Sequence, residues 1–279
     1  MRLAWTRLPL HLTVIGLVVL WTVPALGLLV SSFRPANLVS TTGWWTALRP
    51  PFDFTLENYE SVLTRSGMFE SFLNSLTITI PATVIPITVA AFAAYAFAWM
   101  DFPAKDWVFL VLVGLLVVPL QLTFVPVLQG YVALGLSGTF PGIWLAHTGY
   151  GLPFAIYLLR NFFGELPREL FESAGIDGAG PLTIFFRLVL PLSVPALASL
   201  GIFQFLWVWN DLLVALIYLG GTREVAPMTL TVANLVNSLG QNWQLLTAAA
   251  FVSTALPLVV FFALQRYFVS GILAGSVKG

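Results

Sequence analysis

Side chains able to do chemistry are scarce in this sequence and stand far apart. It has no Cys, so it offers no thiolate nucleophile, thiolate metal site or disulfide. Its two histidines, His11 and His147, lie far from each other, each inside an apolar stretch. That suits a structural or interfacial imidazole better than a ligand or a general base. No paired acids, His cluster or activated Ser occurs at a useful spacing within the apolar segments. Asp211 is an acid inside a hydrophobic run, where a charge costs about 2.5–3.5 kcal/mol on insertion scales. It must therefore face an interior or water. With Asn210 it either braces helix packing, sits near a wet surface, or belongs to a polar path.

Charge is concentrated in one place. Arg160, Glu165, Arg168, Glu169, Glu172, Asp177 and Arg187 are seven of the chain's 24 charged residues (12 basic plus 12 acidic) and all fall within 160–193. Pro167 suits a helix start, Leu166, Leu170 and Ala174 recur on one face, and Gly175 is expected to close the end. Asp177-Gly178 predicts a turn. Gly180-Pro181 opens a second helical run, Leu182 to Leu190, expected to end at Pro191. A short amphipathic helix held between turns suits the docking of a partner; a solvated loop carrying ordinary charges fits the same spacing.

The elements that carry these residues are membrane spans. Hydrophobic residues make up 58% of the 279 and charged residues 9%, against about 25% charged in a soluble domain. Mean hydropathy is +0.92. Twelve basic and twelve acidic residues cancel, which leaves no field that would suggest nucleic acid. A spanning helix needs about 20 apolar residues, and low-charge stretches predict six: 8–33, 71–100, 107–129, 140–159, 194–219 and 247–268. Gly135-Leu-Ser-Gly138 followed by Pro141 divides the third from the fourth.

Prolines 24, 81, 86, 119, 126, 153, 195 and 257 punctuate these segments; inside a bundle, neighbouring helices can satisfy the carbonyls they free. Arg2 and Arg7 precede an apolar run longer than a usual secretory signal core, so an uncleaved first span is expected. With the N-terminus inside, eight basic residues (Arg2, Arg7, Lys105, Arg160, Arg168, Arg187, Arg266 and Lys278) fall in the cytoplasm and four (Arg34, Arg49, Arg65 and Arg223) outside. Both termini are therefore expected to be cytoplasmic. On this topology 34–70 is the longest outside loop, with a short interfacial helix near Phe54 to Tyr59, and 220–246 is a second.

Glu172-Ser-Ala174, Gly178 and Leu188-Val-Leu190-Pro191 resemble the EAA signature of binding-protein-dependent ABC importer permeases: Glu-Ala-Ala, three residues, Gly, nine residues, Ile-x-Leu-Pro. Ser173 replaces the middle Ala and Leu188 replaces Ile; the spacing is kept. Gly114 to Gln121, Trp144 to Gly149, Phe205 to Leu213 and the tail Ser270 to Gly279 are similar to the sugar-importer branch, of maltose/α-glucoside type, on the side of the heterodimer without a large extra domain. The tail often carries Arg where Ser270 stands here.

The resemblance implies an all-α membrane protein with the type I ABC importer permease fold, lodged in the bacterial inner membrane. It implies a permease that does no chemistry and binds no cofactor, ATP and Mg being held by the ATPase. The implied partners are a second permease subunit, two ATPase subunits and an extracytoplasmic sugar-binding protein. Glu172 should pair with a basic group in an ATPase cleft, Ala174 should permit close packing, and Gly178 should make a turn that no side chain can obstruct. Asp177 should cap or brace that turn, and Ser173, Leu188 and Pro191 complete the coupling motif. The tail, 270–279, is expected near the same interface. Trp207, Trp209, Asn210 and Asp211 are candidates for lining a sugar path, because aromatic faces stack on sugar rings and Asn makes paired hydrogen bonds. A secondary transporter would want more intramembrane ionisable groups and a repeat; neither is evident.

Overall fold

In the computed structural model, which describes residues 8–235 and 241–274 with side chains through Gln265, every regular element is helical. The chain divides into two compact units, one of residues 1–70 with 231–255 and one of 71–230 with 256–279.

The first unit carries α1 (Leu8–Ser32), α2 (Ala36–Thr41), a 3₁₀ turn (Trp44–Leu48) and α3 (Glu57–Thr64). α1 is apolar on all sides and exposed over most of its length, as expected of a helix solvated by lipid. The following loop is tied to its end. Asn58 Nδ2 donates to the carbonyls of Ser32 (2.9 Å) and Arg34 (2.8 Å), and the hydroxyls of Ser32 and Tyr59 meet at 2.8 Å. A Cβ on Gly27 would approach Trp44 Nε1 to 2.8 Å, so glycine is what lets the indole lie against α1.

The second unit is built on α4 (Met68–Trp99), α5 (Lys105–Leu115), a 3₁₀ turn (Leu120–Thr123) leading into α6 (Phe124–Ala133), and α7 (Phe140–Gly164). α8 (Arg168–Ile176), α9 (Pro181–Leu192), α10 (Val194–Trp209), α11 (Leu213–Leu219) and α12 (Met228–Ala233) follow, and α13 (Trp243–Ala274) closes the chain. Small residues let the helices approach: Ala90, Ala91 and Ala94 of α4 pack with Ala155, Ile156 and Leu159 of α7, Val189 of α9 and Ala196 of α10.

The two prolines of α4 show how such helices survive. Pro81 and Pro86 lack an N–H, which frees the carbonyls of Thr77 and Ala82 four residues back. Trp144 Nε1 of α7 donates to Thr77 O at 2.9 Å, and Gln204 Nε2 of α10 donates to Ala82 O at 3.1 Å. Each freed carbonyl thus receives a side-chain donor from a neighbouring helix.

Among the described residues three helices are long and apolar enough to cross a membrane: Leu8–Ser32, Met68–Trp99 and Trp243–Gln265. Two bent pairs, Lys105–Leu115 with Leu120–Ala133 (95°) and Pro181–Leu192 with Val194–Trp209 (74°), bring the number to five if each is one span. The stretch of the expected third span, 107–129, is sharply bent, with Pro119 at the break. The expected fifth, 194–219, is interrupted after Trp209 and resumes at Leu213. α7 outruns the expected 140–159 to reach Gly164, and the Arg160 guanidinium near its end lies 4.9 Å from the centre of the Phe109 ring. Gly135 (φ +68°) and Gly138 (φ +75°) form the turn between α6 and α7, and the Thr139 hydroxyl accepts from Gly142 N to cap α7. The interfacial helix expected near 54–59 forms slightly later, as α3. The tail continues as helix to Ala274; residues 275–279, and Arg2, Arg7 and Lys278 of the orientation argument, lie outside the described residues.

Candidate coupling surface and translocation path

α8 is a nine-residue helix following Pro167, with Glu169 in its first turn where the helix dipole favours an acid. It does not end at Gly175. The chain passes Asp177, the C-cap, and turns at Gly178, whose φ is +74°. Ala179 N donates to Ala174 O (2.9 Å) and Gly178 N to Gly175 O (3.0 Å), the two bonds of a Schellman closure. This explains the four-residue spacing between Ala174 and Gly178: they are the third-last helical residue and the left-handed residue of one motif. No atom lies within 4 Å of where a Gly178 Cβ would stand. Glycine is required by the backbone angle there, not by an obstructing neighbour.

One side of α8 is anchored. The Phe171 ring stacks on Trp99 at 3.6 Å and 15°, and Trp99 Nε1 donates to Phe163 O at 2.9 Å, which ties α8 to the ends of α4 and α7. Ala174 is half-buried on that side, whereas Glu172, Ser173 and Asp177 are exposed. Ile176 is 88% exposed and Leu182 is 65% exposed, so two aliphatic side chains flank the acids on the open side. α9 is pinned by Phe185, which stacks on Phe92 (4.6 Å), and by Tyr95 OH donating to Pro181 O (3.2 Å). Leu188 is half-buried and Pro191 exposed. The run does not stop at Pro191: a π turn over Phe185–Val189, with Leu190 N donating to Phe185 O, opens the helix enough for the proline ring, and it continues to Leu192.

The four residues grouped around Asp211 differ in setting: Trp209 and Asp211 border one small cavity, whereas Trp207 opens on another pocket. Trp209 is 2% exposed, edge-on to Phe72 (6.0 Å) and stacked on Phe205 (5.7 Å), so it packs the interior rather than facing an opening. Asp211 caps α11: its carboxylate accepts from Val214 N (3.2 Å) and Ala215 N (2.9 Å), two of the amides left open at a helix start. The acid therefore accompanies the break in the expected fifth span. His147 Nε2 lies 3.8 Å from it beside a cavity of about 10 Å³, room for one water. Asn210 is exposed, its amide turned back to Leu206 O (2.8 Å). Trp207 is 36% exposed and edge-on to His147 (5.2 Å).

Trp207 belongs instead to a pocket of about 280 Å³ that also takes in Tyr150, Phe154, Phe203 and Gln204. Tyr150 and Phe154 stand four apart on α7, and Phe203 and Trp207 four apart on α10, so two aromatic pairs face one opening. A Cβ on Gly151 would meet Gln204 Nε2 at 2.8 Å, so a side chain there would push the Gln204 amide aside. Of this group the sequence reading named Trp207 and missed Tyr150, Phe154, Phe203 and Gln204; the paired i, i+4 aromatics were their signal. Among the described residues no three His, Cys, Asp or Glu gather to hold a metal ion.

Residues 71–273 match the family model described as binding-protein-dependent transport system inner membrane component. The chain belongs to this family. It is a permease of an ABC importer, a multi-pass protein of the inner membrane, and members of this family work in complexes with an ATPase and a binding protein. An osmoprotective compounds uptake permease of Synechocystis sp. is 61% identical, over 98% of this chain and 93% of that protein. An α-glucoside transport system permease of Rhizobium meliloti is 43% identical, over 96% of each. The likeness to a chain of a bacterial ABC transporter that imports the acidic polysaccharide alginate has a TM-score of 0.78 at 20% identity, covers 93% of this chain and 95% of that one, and bears on the fold.

Proposed function

We propose that this permease pairs with a second, different permease subunit to import an α-glucoside or similar small oligosaccharide, and that α8 couples the pair to the ATPase. The carrying observation is α8 itself: anchored behind by Phe171 on Trp99, closed by the Gly178 turn, and open along Glu172, Ser173 and Ile176. A short rigid helix of this kind moves as one body when a partner clasps it, and so turns ATPase closure into rotation of the attached spans. In this reading Glu172 meets a basic group of the ATPase, Asp177 and Ser173 border the contact, and Leu188 and Pro191 hold α9 beneath it. The chain has no catalytic role and binds no cofactor; ATP and Mg reside on the ATPase. Six spans, with α7 as one of them, and cytoplasmic termini complete the reading, supported by the distribution of basic residues.

The α-glucoside assignment draws on the Rhizobium relative and on the aromatic pocket, whose ring faces suit sugar stacking. The Synechocystis relative favours a second substrate, an osmoprotective compound. Uptake of labelled solutes by cells with the importer restored tests both. Glu172→Lys should abolish uptake while the protein stays in the membrane; normal uptake by that variant sinks the coupling role.

A further inference from the structure

At the end of α1 a buried cation faces a pocket. Arg34 is 2% exposed. Its guanidinium donates to Thr42 O (3.4 Å) and to the hydroxyls of Thr42 (2.5 Å) and Thr46 (3.1 Å), while its Nε–H is buried without a partner. Those hydroxyls spend their own protons on Leu38 O and Gly43 O. Everything touching the charge is thus a neutral dipole, and among the described residues no carboxylate comes within 4.0 Å. Buried charges are ordinarily paired, because neutral dipoles recover only part of the lost hydration. Beside Arg34 lies a pocket of about 300 Å³, also lined by Arg49, Pro50, Pro51 and Asp53. Arg49 and Asp53 are exposed at the same pocket, so its two arginines outweigh its one carboxylate by a single positive charge, with Arg34 fixed at its base and Arg49 free to turn toward an anion.

We propose that this pocket binds the phosphate of a membrane phospholipid. Position favours lipid over an acidic protein segment. Arg34 stands two residues beyond an apolar helix long enough to span, which puts it at headgroup depth. Trp44 lies against α1 at Gly27 and Trp45 is exposed beside it, the aromatic setting of a membrane interface. Phosphate oxygens match guanidinium donors in geometry and charge. The site falls outside the stretch 71–273 that matches the family, and it is independent of the imported solute.

The test uses the whole importer purified in mild detergent, wild type against Arg34→Gln and Arg49→Gln. Native mass spectrometry measures affinity for short-chain phosphatidylglycerol, and thermal unfolding is followed with and without inorganic phosphate. Each variant should bind the lipid about tenfold more weakly, the loss of one charge-assisted contact. Stabilisation by inorganic phosphate that depends on Arg34 or Arg49, without lipid binding, would overturn the lipid and assign the pocket to a soluble anion. Equal lipid affinity and equal phosphate response in wild type and Arg49→Gln would overturn the site, and a crosslink from residue 49 to an acidic segment of the binding protein would assign it to a protein contact. Arg49 is exposed, so its variant keeps the test decisive even where Arg34→Gln fails to fold.

Discussion

The bond from Gln204 to Ala82 O makes a prediction in which one residue's importance depends on another. Ala82 O is open because Pro86 lacks an N–H, and both Ala82 and Gln204 are buried. Gln204→Leu keeps the side chain near its volume but leaves that carbonyl without a donor. Hydrogen bonds between membrane helices are worth about 0.6 kcal/mol on average and up to about 1.7, while an orphaned buried acceptor costs about 1–3. The expected loss is about 1–2 kcal/mol. Pro86→Ala supplies an N–H at position 86, so Ala82 O regains an in-helix donor and the same Gln204→Leu change should then cost about 0.5 kcal/mol or less, a coupling of about 1 kcal/mol. Equilibrium unfolding in mixed micelles of wild type, both single variants and the double variant measures the cycle. Equal costs of Gln204→Leu in the two backgrounds would refute the claim that Gln204 answers the proline.

Two further predictions concern the sites. Gly178→Ala should destabilise the α8 turn by about 1–2 kcal/mol, the cost of a left-handed L-residue. Gly175→Ala, on the helical side with nothing within 4 Å of its Cβ position, should stabilise by about 0.5–1 kcal/mol; thermal unfolding of the pair reads opposite signs, and two shifts of one sign would contradict the closure described. Trp207→Ala should raise the half-saturation concentration for uptake about two- to tenfold, from about 0.5–1.5 kcal/mol of ring contact. Trp209→Ala should lower the yield of folded protein at unchanged half-saturation, since removing a buried Trp costs about 3–5 kcal/mol; the reverse pattern would exchange the two roles.

Span-like apolarity was legible residue by residue because it depends on composition over about 20 positions, and so was the EAA spacing. The bends were not. Pro119 and Pro191 announce irregularity, yet whether a proline bends a helix, opens a π turn or sits in a straight run depends on what neighbouring helices offer its freed carbonyls. α4 runs unbroken through Pro81 and Pro86 because Trp144 and Gln204 reach it. Asp211 carried three open readings in sequence; that its carboxylate meets the first amides of α11 depends on the break after Trp209, which the sequence does not announce.

By itself, then, the sequence determined the solvent of this protein, its helical class and its family. Each of these follows from local chemistry: apolar content, the period of a helix, and a glycine four residues after an alanine. Tertiary structure decided which of two tryptophans two residues apart is buried, because a helix turns about 200° over that interval and only the packing of α10 against its neighbours fixes which direction is inside. It also decided that Phe154 and Phe203, distant in sequence, share one opening, a juxtaposition that no local pattern encodes.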